Sequence, residues 1–281
     1  MTVRPAADRL EEHVRLWDVT VEAIKETETS LMAFGACRNQ RVVLKVSRYE
    51  GEEWRCGELL TAFDGRGLVR ALEYRDGIVL LERLAPGNDL SVRSLNTRDD
   101  EATEIIAEII GRMSSIRPSV KGIKSASDFI SEFQKYRHGC DDLMPAGMID
   151  QAERIFSQLC DSQADLRLLH GDLHHYNVLF DSQRGWVAID PWGLWAEIEY
   201  EVGASLRNPI DAPDLLAKSE TVVRRLRIYE QRLGIDAHRA LRWAFSQAVL
   251  AALWPTEEGV GTDMRAPFIA AATAMMPLLG E

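Results

Sequence analysis

Three oxygen-bearing side chains set close together carry the chemistry of this chain. The stretch Leu168-Leu-His-Gly-Asp172-Leu-His-His-Tyr-Asn177-Val-Leu-Phe180 is followed by Trp186-Val-Ala-Ile-Asp190-Pro, so Asp172, Asn177 and Asp190 all lie beside short apolar runs. An Asp-x-x-x-x-Asn spacing with a second aspartate ending the next strand suits phosphoryl transfer. One carboxylate takes the proton of an attacking hydroxyl, while the carboxamide and the other carboxylate hold a divalent cation. Magnesium asks for hard oxygen ligands and keeps several waters, so Asn177 and Asp190 with nucleotide phosphates suffice. Asp172 is therefore the candidate base, and Asn177 and Asp190 are the candidate metal ligands.

Asp181-Ser-Gln-Arg-Gly185 reads as a turn joining Val178-Leu-Phe180 to Val187-Ala-Ile189, a hairpin that brings the three residues to one place. A competing reading makes His170, Asp172, His174 and His175 a transition-metal cluster. That site needs further histidine ligands downstream, where only His238 remains. Otherwise His170 and His174 brace the loop backbone.

Nearer the N-terminus, Leu31-Met-Ala-Phe34 and Arg41-Val-Val-Leu-Lys45-Val flank the polar cluster Cys37–Gln40 and read as an antiparallel hairpin. Lys45 lies inside an apolar strand and must be paired. Glu53 shares a helical face with Cys56, Gly57 and Leu60, which lets it point inward toward Lys45, with Glu52 and Glu58 as alternates. Such a Lys–Glu pair clamps nucleotide phosphates. No Gly-x-Gly-x-x-Gly motif is present, so Ser30 and local N–H groups are the candidates for cradling phosphate. After the strand Ile78–Leu81, Glu82-Arg-Leu-Ala-Pro86-Gly87 reads as a linker, and composition shifts from strands to helices. We place a lobe boundary there, 1–84 for nucleotide clamping and 85–281 for catalysis and substrate binding, with the adenine held by main-chain groups of Glu82 to Leu84. Thr97-Arg-Asp-Asp100 resembles a capping box for the helix that carries Ile105, Ile106, Ile109, Ile110 and Met113. Further amphipathic stretches lie near 127–137, 148–160, 215–233, 236–254 and 264–279.

The 281 residues include 44 acidic and 33 basic side chains, a net charge of −11 that disfavours a nucleic-acid partner and suits a cationic small molecule. Four scattered cysteines without a Cys-x-x-Cys pair, no apolar leader and no long apolar run lead to the expectation of a cytoplasmic protein that does not enter a membrane.

Taken together, the catalytic segment, Glu53-Trp-Arg, Asp64-Gly-Arg-Gly67, Leu80-Leu-Glu82, Asp190-Pro-x-Gly193-Leu, Leu206-Arg-Asn-Pro209 and Leu250-Ala-Ala-Leu-Trp254 resemble the aminoglycoside phosphotransferase superfamily. They are most similar to its streptomycin 6-phosphotransferase and hydroxyurea kinase group. The resemblance runs from about Ser30 to Trp254. It implies an α+β, protein-kinase-like two-lobed fold, with an antiparallel sheet and helix in the N-lobe and a mostly helical C-lobe. It also implies a small-molecule kinase that uses ATP or GTP with magnesium on an aminocyclitol hydroxyl such as that of streptomycin. Trp192, Tyr176 and Glu201 depart from the family pattern near the expected acceptor approach. Candidate acceptor carboxylates are Glu197, Glu199, Glu201, Asp211 and Asp214, with Trp192 or Trp195 stacking on a guanidinium or ring face. The alternatives are a hydroxyurea-, fructosamine-, choline- or homoserine-kinase-like acceptor, or a nucleotide-binding pseudokinase.

Overall fold

Side chains on successive strand residues point to opposite faces, and that alternation layers the N-terminal part of the protein. The computed structural model describes residues 4–137, 144–257 and 265–280. Strands β1 (Thr20–Glu26), β2 (Ser30–Cys37), β3 (Gln40–Ser47), β4 (Ala71–Arg75) and β5 (Ile78–Glu82) form one antiparallel sheet in the order β1-β2-β3-β5-β4. Val42, Leu44, Val46, Ile78 and Leu80 face helix α1 (Ala6–Leu16) and pack with Ala6, Leu10 and Trp17. Val79 and Leu81 face the other way, onto Cys56, Leu59, Leu60 and Phe63 of α2 (Cys56–Phe63). Lys45, between Leu44 and Val46, takes the α2 side. The β2–β3 hairpin closes on Arg38 and Asn39, both at positive φ (49° and 64°), the twist that a two-residue hairpin turn needs.

The chain leaves this sheet after Glu82. β6 (Pro86–Asp89) pairs instead with β8 (Val178–Asp181), which pairs with β9 (Gly185–Ala188), while β7 (Arg167–Leu169) pairs with β10 (Leu194–Ala196). The remaining described α-helices are α3 (Ser91–Leu95), α4 (Asp99–Met113), α5 (Ile130–Arg137), α6 (Ala146–Asp161), α7 (Ile198–Glu201), α8 (Gly203–Leu206), α9 (Pro213–Leu216), α10 (Ser219–Leu233), α11 (Ala237–Glu257) and α12 (Ala266–Met275). The apolar stripes of α4, α6 and α11 meet in one core with Trp243, Phe245, Phe156 and Ile109. The architecture is therefore α+β, a sheet-and-helix lobe on a mostly helical one. Among the described residues, no helix is long and apolar enough to cross a membrane.

Two features differ from the sequence reading. Helix α1 was not expected, because its apolar residues are diluted by charges. One of those charges, Arg9, is itself buried, donates to the carbonyls of Ser47 (2.9 Å), Asp76 and Gly77 (3.1 Å each), and lies over the Trp54 ring. The expected cap at Thr97 does not form either. Thr97 sits at a left-handed φ of 63°, α4 begins at Asp99, and its N-cap makes no side-chain bond. Asp99 serves tertiary structure instead, accepting from Arg225 at 2.6 and 3.0 Å and from Arg224 at 2.8 Å. Burial opposes its ionisation, but the Arg225 guanidinium outweighs that and holds the carboxyl well below the usual range. Arg225 also donates to the Ser205 and Asn208 carbonyls at 2.7 Å, which fastens α4 and α10 to α8 and the residues just after it.

Candidate active site

Asp172 stands in the turn after β7, and backbone geometry fixes it there. The His170 carbonyl accepts the Trp192 and Gly193 N–H groups, each at 2.9 Å, which pins this turn to the one after β9. Gly193, at φ 82°, has no room for a side chain, since a Cβ would come within 2.7 Å of Leu59. Asp190 holds a left-handed φ of 55° without being glycine, a strained conformation of the kind kept where a side chain must be aimed. The Ile189 N–H donates to the Asn177 carbonyl at 2.8 Å, so the two candidate metal ligands are tied through backbone. Asn177 Nδ2 donates to the Asp172 carbonyl at 3.0 Å, which leaves its Oδ1 as an acceptor.

Charges converge on this frame. Lys45 Nζ lies 2.8 Å from Asp190 Oδ1 and 3.1 Å from Glu53 Oε2. Burial works to lower the lysine pKa, but the carboxylates of Asp190 and Glu53 outweigh it and the net shift is upward. Asp172 lies between Arg207 Nη2 and His174 Nε2, each at 3.2 Å. Burial opposes its ionisation, His174 and Arg207 favour it, and the carboxyl falls well below its usual range. A cavity of 660 Å³ is walled by Thr29, Ser47, Glu53, Asn177 and Asp190, and another of 600 Å³ by Lys124, Phe129, Glu132 and Tyr176. Both are lined by Asp172, His174, Trp192, Arg207 and Trp254, so they meet at Asp172. A larger hollow of 830 Å³ between residues 65–67 and α4 contains none of these groups.

Of the sequence candidates, Lys45, Glu53, Asp172, Asn177, Asp190 and Trp192 come together here. Glu58 does not; it pairs with Arg55 at 2.6 Å. The side chain of Glu52 lies outside the described part. Ser30 is buried with its hydroxyl 3.0 Å from Thr27 Oγ1, and Thr29 lines the cavity in its place. Glu82 uses its carboxylate on the Arg70 N–H (2.8 Å) and on Arg184, and its own N–H on the Arg70 carbonyl, so a ligand cannot take that N–H. The Leu84 N–H makes no hydrogen bond among the described residues.

The expected acidic acceptor cluster is not built. Glu197 is buried under Trp243 Nε1 (2.5 Å) and Arg239, and Glu199 faces the Asp236 N–H at 3.4 Å. Asp211 accepts from the Tyr176 hydroxyl at 2.8 Å beside the second cavity, Asp214 is exposed, and Trp195 lines neither cavity. The reason is topological: β10 runs back along β7, away from the cleft. His170, His174 and His175 do not converge on a metal position, because both His170 nitrogens are engaged, Nε2 with the Ile189 carbonyl and Nδ1 with the Asp172 N–H. Sequence reasoning missed Arg207, His174, Phe129 and Trp254 as site residues. Arg207 and Trp254 lay within recognised motifs that gave them no role, whereas Phe129 looked like a core position of an amphipathic helix.

Glu201 lies beneath the turn that carries Asp172, and its carboxylate accepts the His170 and Gly171 N–H groups at 2.7 and 3.1 Å. Burial pushes its carboxyl from 4.5 up to about 7, against the pull of those donors. The native state then holds a proton that the unfolded chain releases, so this contribution to stability is full below pH 4.5 and lost as pH rises to about 7. His170 runs the opposite way, since burial lowers its imidazole from 6.5 to about 4 and its contribution grows with pH. The slopes oppose each other in the parent, so a difference between proteins isolates Glu201. The stability advantage of the parent over Glu201→Gln, from urea unfolding, is expected to fall by up to about 3 kcal/mol between pH 4.5 and 7. A difference that does not vary with pH would show that Glu201 does not titrate in this window.

Comparison with known proteins adds the identity of the group. The family model for aminoglycoside/hydroxyurea antibiotic resistance kinases matches residues 17–259. Streptomycin 3''-kinase of Klebsiella pneumoniae is 31% identical over 239 residues, covering 83% of this chain and 86% of that protein. Streptomycin 6-kinase of Streptomyces glaucescens is 27% identical over 262 residues, covering 89% and 83%. A thermostable mutant of the aminoglycoside phosphotransferase APH(4)-Ia, in ternary complex with ADP and hygromycin B, shares the fold at a TM-score of 0.67 and 15% identity, covering 95% of this chain and 97% of that one. Matched by that model over most of its length and by these relatives across more than four fifths of theirs, the chain belongs to the aminoglycoside/hydroxyurea antibiotic resistance kinases and is a small-molecule kinase.

Proposed function

We propose that the enzyme transfers the γ-phosphoryl group of ATP, with magnesium, to a hydroxyl of an aminoglycoside of the streptomycin type. The observation that carries this reading is the meeting of two cavities at Asp172, with Lys45, Glu53, Asn177 and Asp190 on the side of one of them. The streptomycin kinases among its relatives support the acceptor, and the ADP complex of the structural neighbour supports the nucleotide. Lys45 holds phosphate oxygens, Glu53 orients Lys45, and the Leu84 N–H offers a donor to the adenine edge. The donor set fits a hard dication: Asn177 Oδ1 is left over by its amide bond, and Asp190 commits Oδ1 to Lys45 and keeps Oδ2. When bound, magnesium neutralises charge on the phosphates. Asp172 takes the acceptor's proton as the acceptor oxygen bonds to phosphorus and the bond to the ADP oxygen breaks.

For the acceptor, Trp192, one of the two aromatic faces that the sequence suggested, lines both cavities, whereas the carboxylates of Glu197, Glu199 and Asp214 line neither. Trp192 stacks on Phe129 (5.0 Å between centroids) and meets Trp254 edge-on (5.9 Å), at the wall both cavities share. A guanidinium or ring laid on Trp192 gains about 0.5–2 kcal/mol. Trp192→Ala is therefore expected to raise the streptomycin KM by roughly 3- to 30-fold with a smaller change in kcat. An unchanged KM in initial-rate kinetics would remove Trp192 from acceptor binding.

A second reading, a small neutral acceptor such as hydroxyurea, is favoured by the charges of the acceptor-side cavity. Its described lining carries Lys124, Lys135 and Arg207 against Glu132 and Asp172, and Lys135 is already paired with Glu132 at 2.6 Å. A panel of streptomycin, hydroxyurea, choline, homoserine and a fructosamine, assayed for acceptor-dependent ATP consumption, separates the two. The first reading expects streptomycin to give the highest kcat/KM. Preferential turnover of a neutral compound overturns it in favour of the second.

A further inference from the structure

Asp172 does not face the cleft with free oxygens. Oδ1 lies 3.2 Å from Arg207 Nη2 and Oδ2 lies 3.2 Å from His174 Nε2, so an acceptor hydroxyl must share one of these oxygens with its partner or displace that partner to deliver its proton. The two partners are held differently. The Arg207 side chain is only 7% exposed, and its Nη1 donates to Gln247 Oε1 at 3.2 Å. Gln247 is buried on α11 and donates in turn to the Tyr200 carbonyl at 2.9 Å. Space for that amide exists because residue 203 is glycine; a Cβ there would come within 2.4 Å of Gln247 Oε1. His174 is more exposed, at 17%, and its Nδ1 has no partner among the described residues. Beyond Asp172 its Nε2 has only Asn177 Nδ2, at 3.4 Å.

We propose that Arg207 is a positioning residue for phosphoryl transfer: braced by Gln247, it anchors Asp172 Oδ1, so that the acceptor hydroxyl replaces His174 on Oδ2. The inference rests on the reading of Asp172 as the base. The acceptor O–H gives its proton to Oδ2 while its oxygen bonds to phosphorus and the bridging bond to ADP breaks. Because Arg207 lines both cavities, its fixed positive charge also stands where the phosphoryl group passes from one to the other. A planar guanidinium can serve Asp172 and Gln247 at once with fixed geometry, whereas a lysine ammonium is a point charge on a flexible stem.

The test uses Arg207→Ala, Arg207→Lys, His174→Ala and Asp172→Asn, with thermal melts to confirm folding. Turnover of Mg-ATP is measured with streptomycin as acceptor and, separately, with water alone, so that the result stands even if streptomycin is not phosphorylated. Arg207→Ala is expected to lose roughly 10²-fold in kcat with the streptomycin KM little changed, and added guanidinium ion to restore roughly tenfold of that loss. Arg207→Lys should recover only part of the activity. His174→Ala should lower the streptomycin KM by roughly 3- to 10-fold, because the acceptor no longer competes with a side chain for Oδ2. The proposal is overturned if Arg207→Ala keeps its kcat, if a folded Arg207→Ala is impaired but gains nothing from guanidinium, or if His174→Ala loses as much kcat as Arg207→Ala. Full activity in Asp172→Asn would instead defeat the reading of the base, whereas an inactive Asp172→Asn beside an unimpaired Arg207→Ala would defeat the Arg207 proposal alone.

Discussion

Replacing Asp172 with asparagine is expected to lower kcat by roughly 10²–10⁴-fold while nucleotide affinity stays nearly the same. Asparagine keeps the size of the side chain and an oxygen for Arg207, so the turn fixed by the His170 carbonyl and by Glu201 should persist. What disappears is the carboxylate proposed to receive the proton. Single-turnover kinetics with saturating ATP read the chemical step, and nucleotide binding is read separately by titration calorimetry. Asp172→Asn with parental turnover would remove Asp172 from the mechanism.

The second large effect concerns Lys45. Its ammonium bridges Asp190 at 2.8 Å and Glu53 at 3.1 Å from a side chain only 6% exposed. Lys45→Ala removes the cation for the phosphates and leaves two carboxylates without their shared partner, so a loss of roughly 10²–10³-fold in kcat/KM is expected. Glu53→Ala alone leaves Lys45 on Asp190 and should lose less. Because both residues act through one ammonium, the double variant should resemble Lys45→Ala rather than the product of the two defects. Fully multiplicative losses in kcat/KM across the four proteins would show that the residues do not work as a pair.

How much of this was legible in the sequence depends on whether the contacts are local. Asn177 and Asp190 flank the two strands of one hairpin and Asp172 stands in the turn just before Asn177, so their spacing states their proximity. Lys45 was legible because a lysine inside an apolar strand needs a carboxylate, and helical period pointed to Glu53. The acceptor wall was not legible. Its described residues come from the segments near 124–135, 176, 192, 207–210 and 251–268, and only tertiary packing brings them together. Sequence adjacency also misled: Glu197, Glu199 and Glu201 follow Asp190 closely, yet β10 carries the chain back along β7, away from the cleft. There Glu201 holds backbone N–H groups and Glu197 anchors Trp243. The −11 charge of the chain likewise does not describe the acceptor-side cavity, whose described lining carries Lys124, Lys135 and Arg207 against Glu132 and Asp172. Helix α1 escaped notice because a buried arginine stands in its inward face.

The most direct test of the central claim is to incubate the purified enzyme with γ-labelled ATP, magnesium and each acceptor of the panel, and to analyse the acceptor by mass spectrometry and phosphorus NMR. The account expects one labelled phosphate ester on one hydroxyl of a small-molecule acceptor, formed only with magnesium and suppressed in Asp172→Asn. Nucleotide binding without an ester on any of these acceptors, or an ester formed equally well by Asp172→Asn, would contradict it.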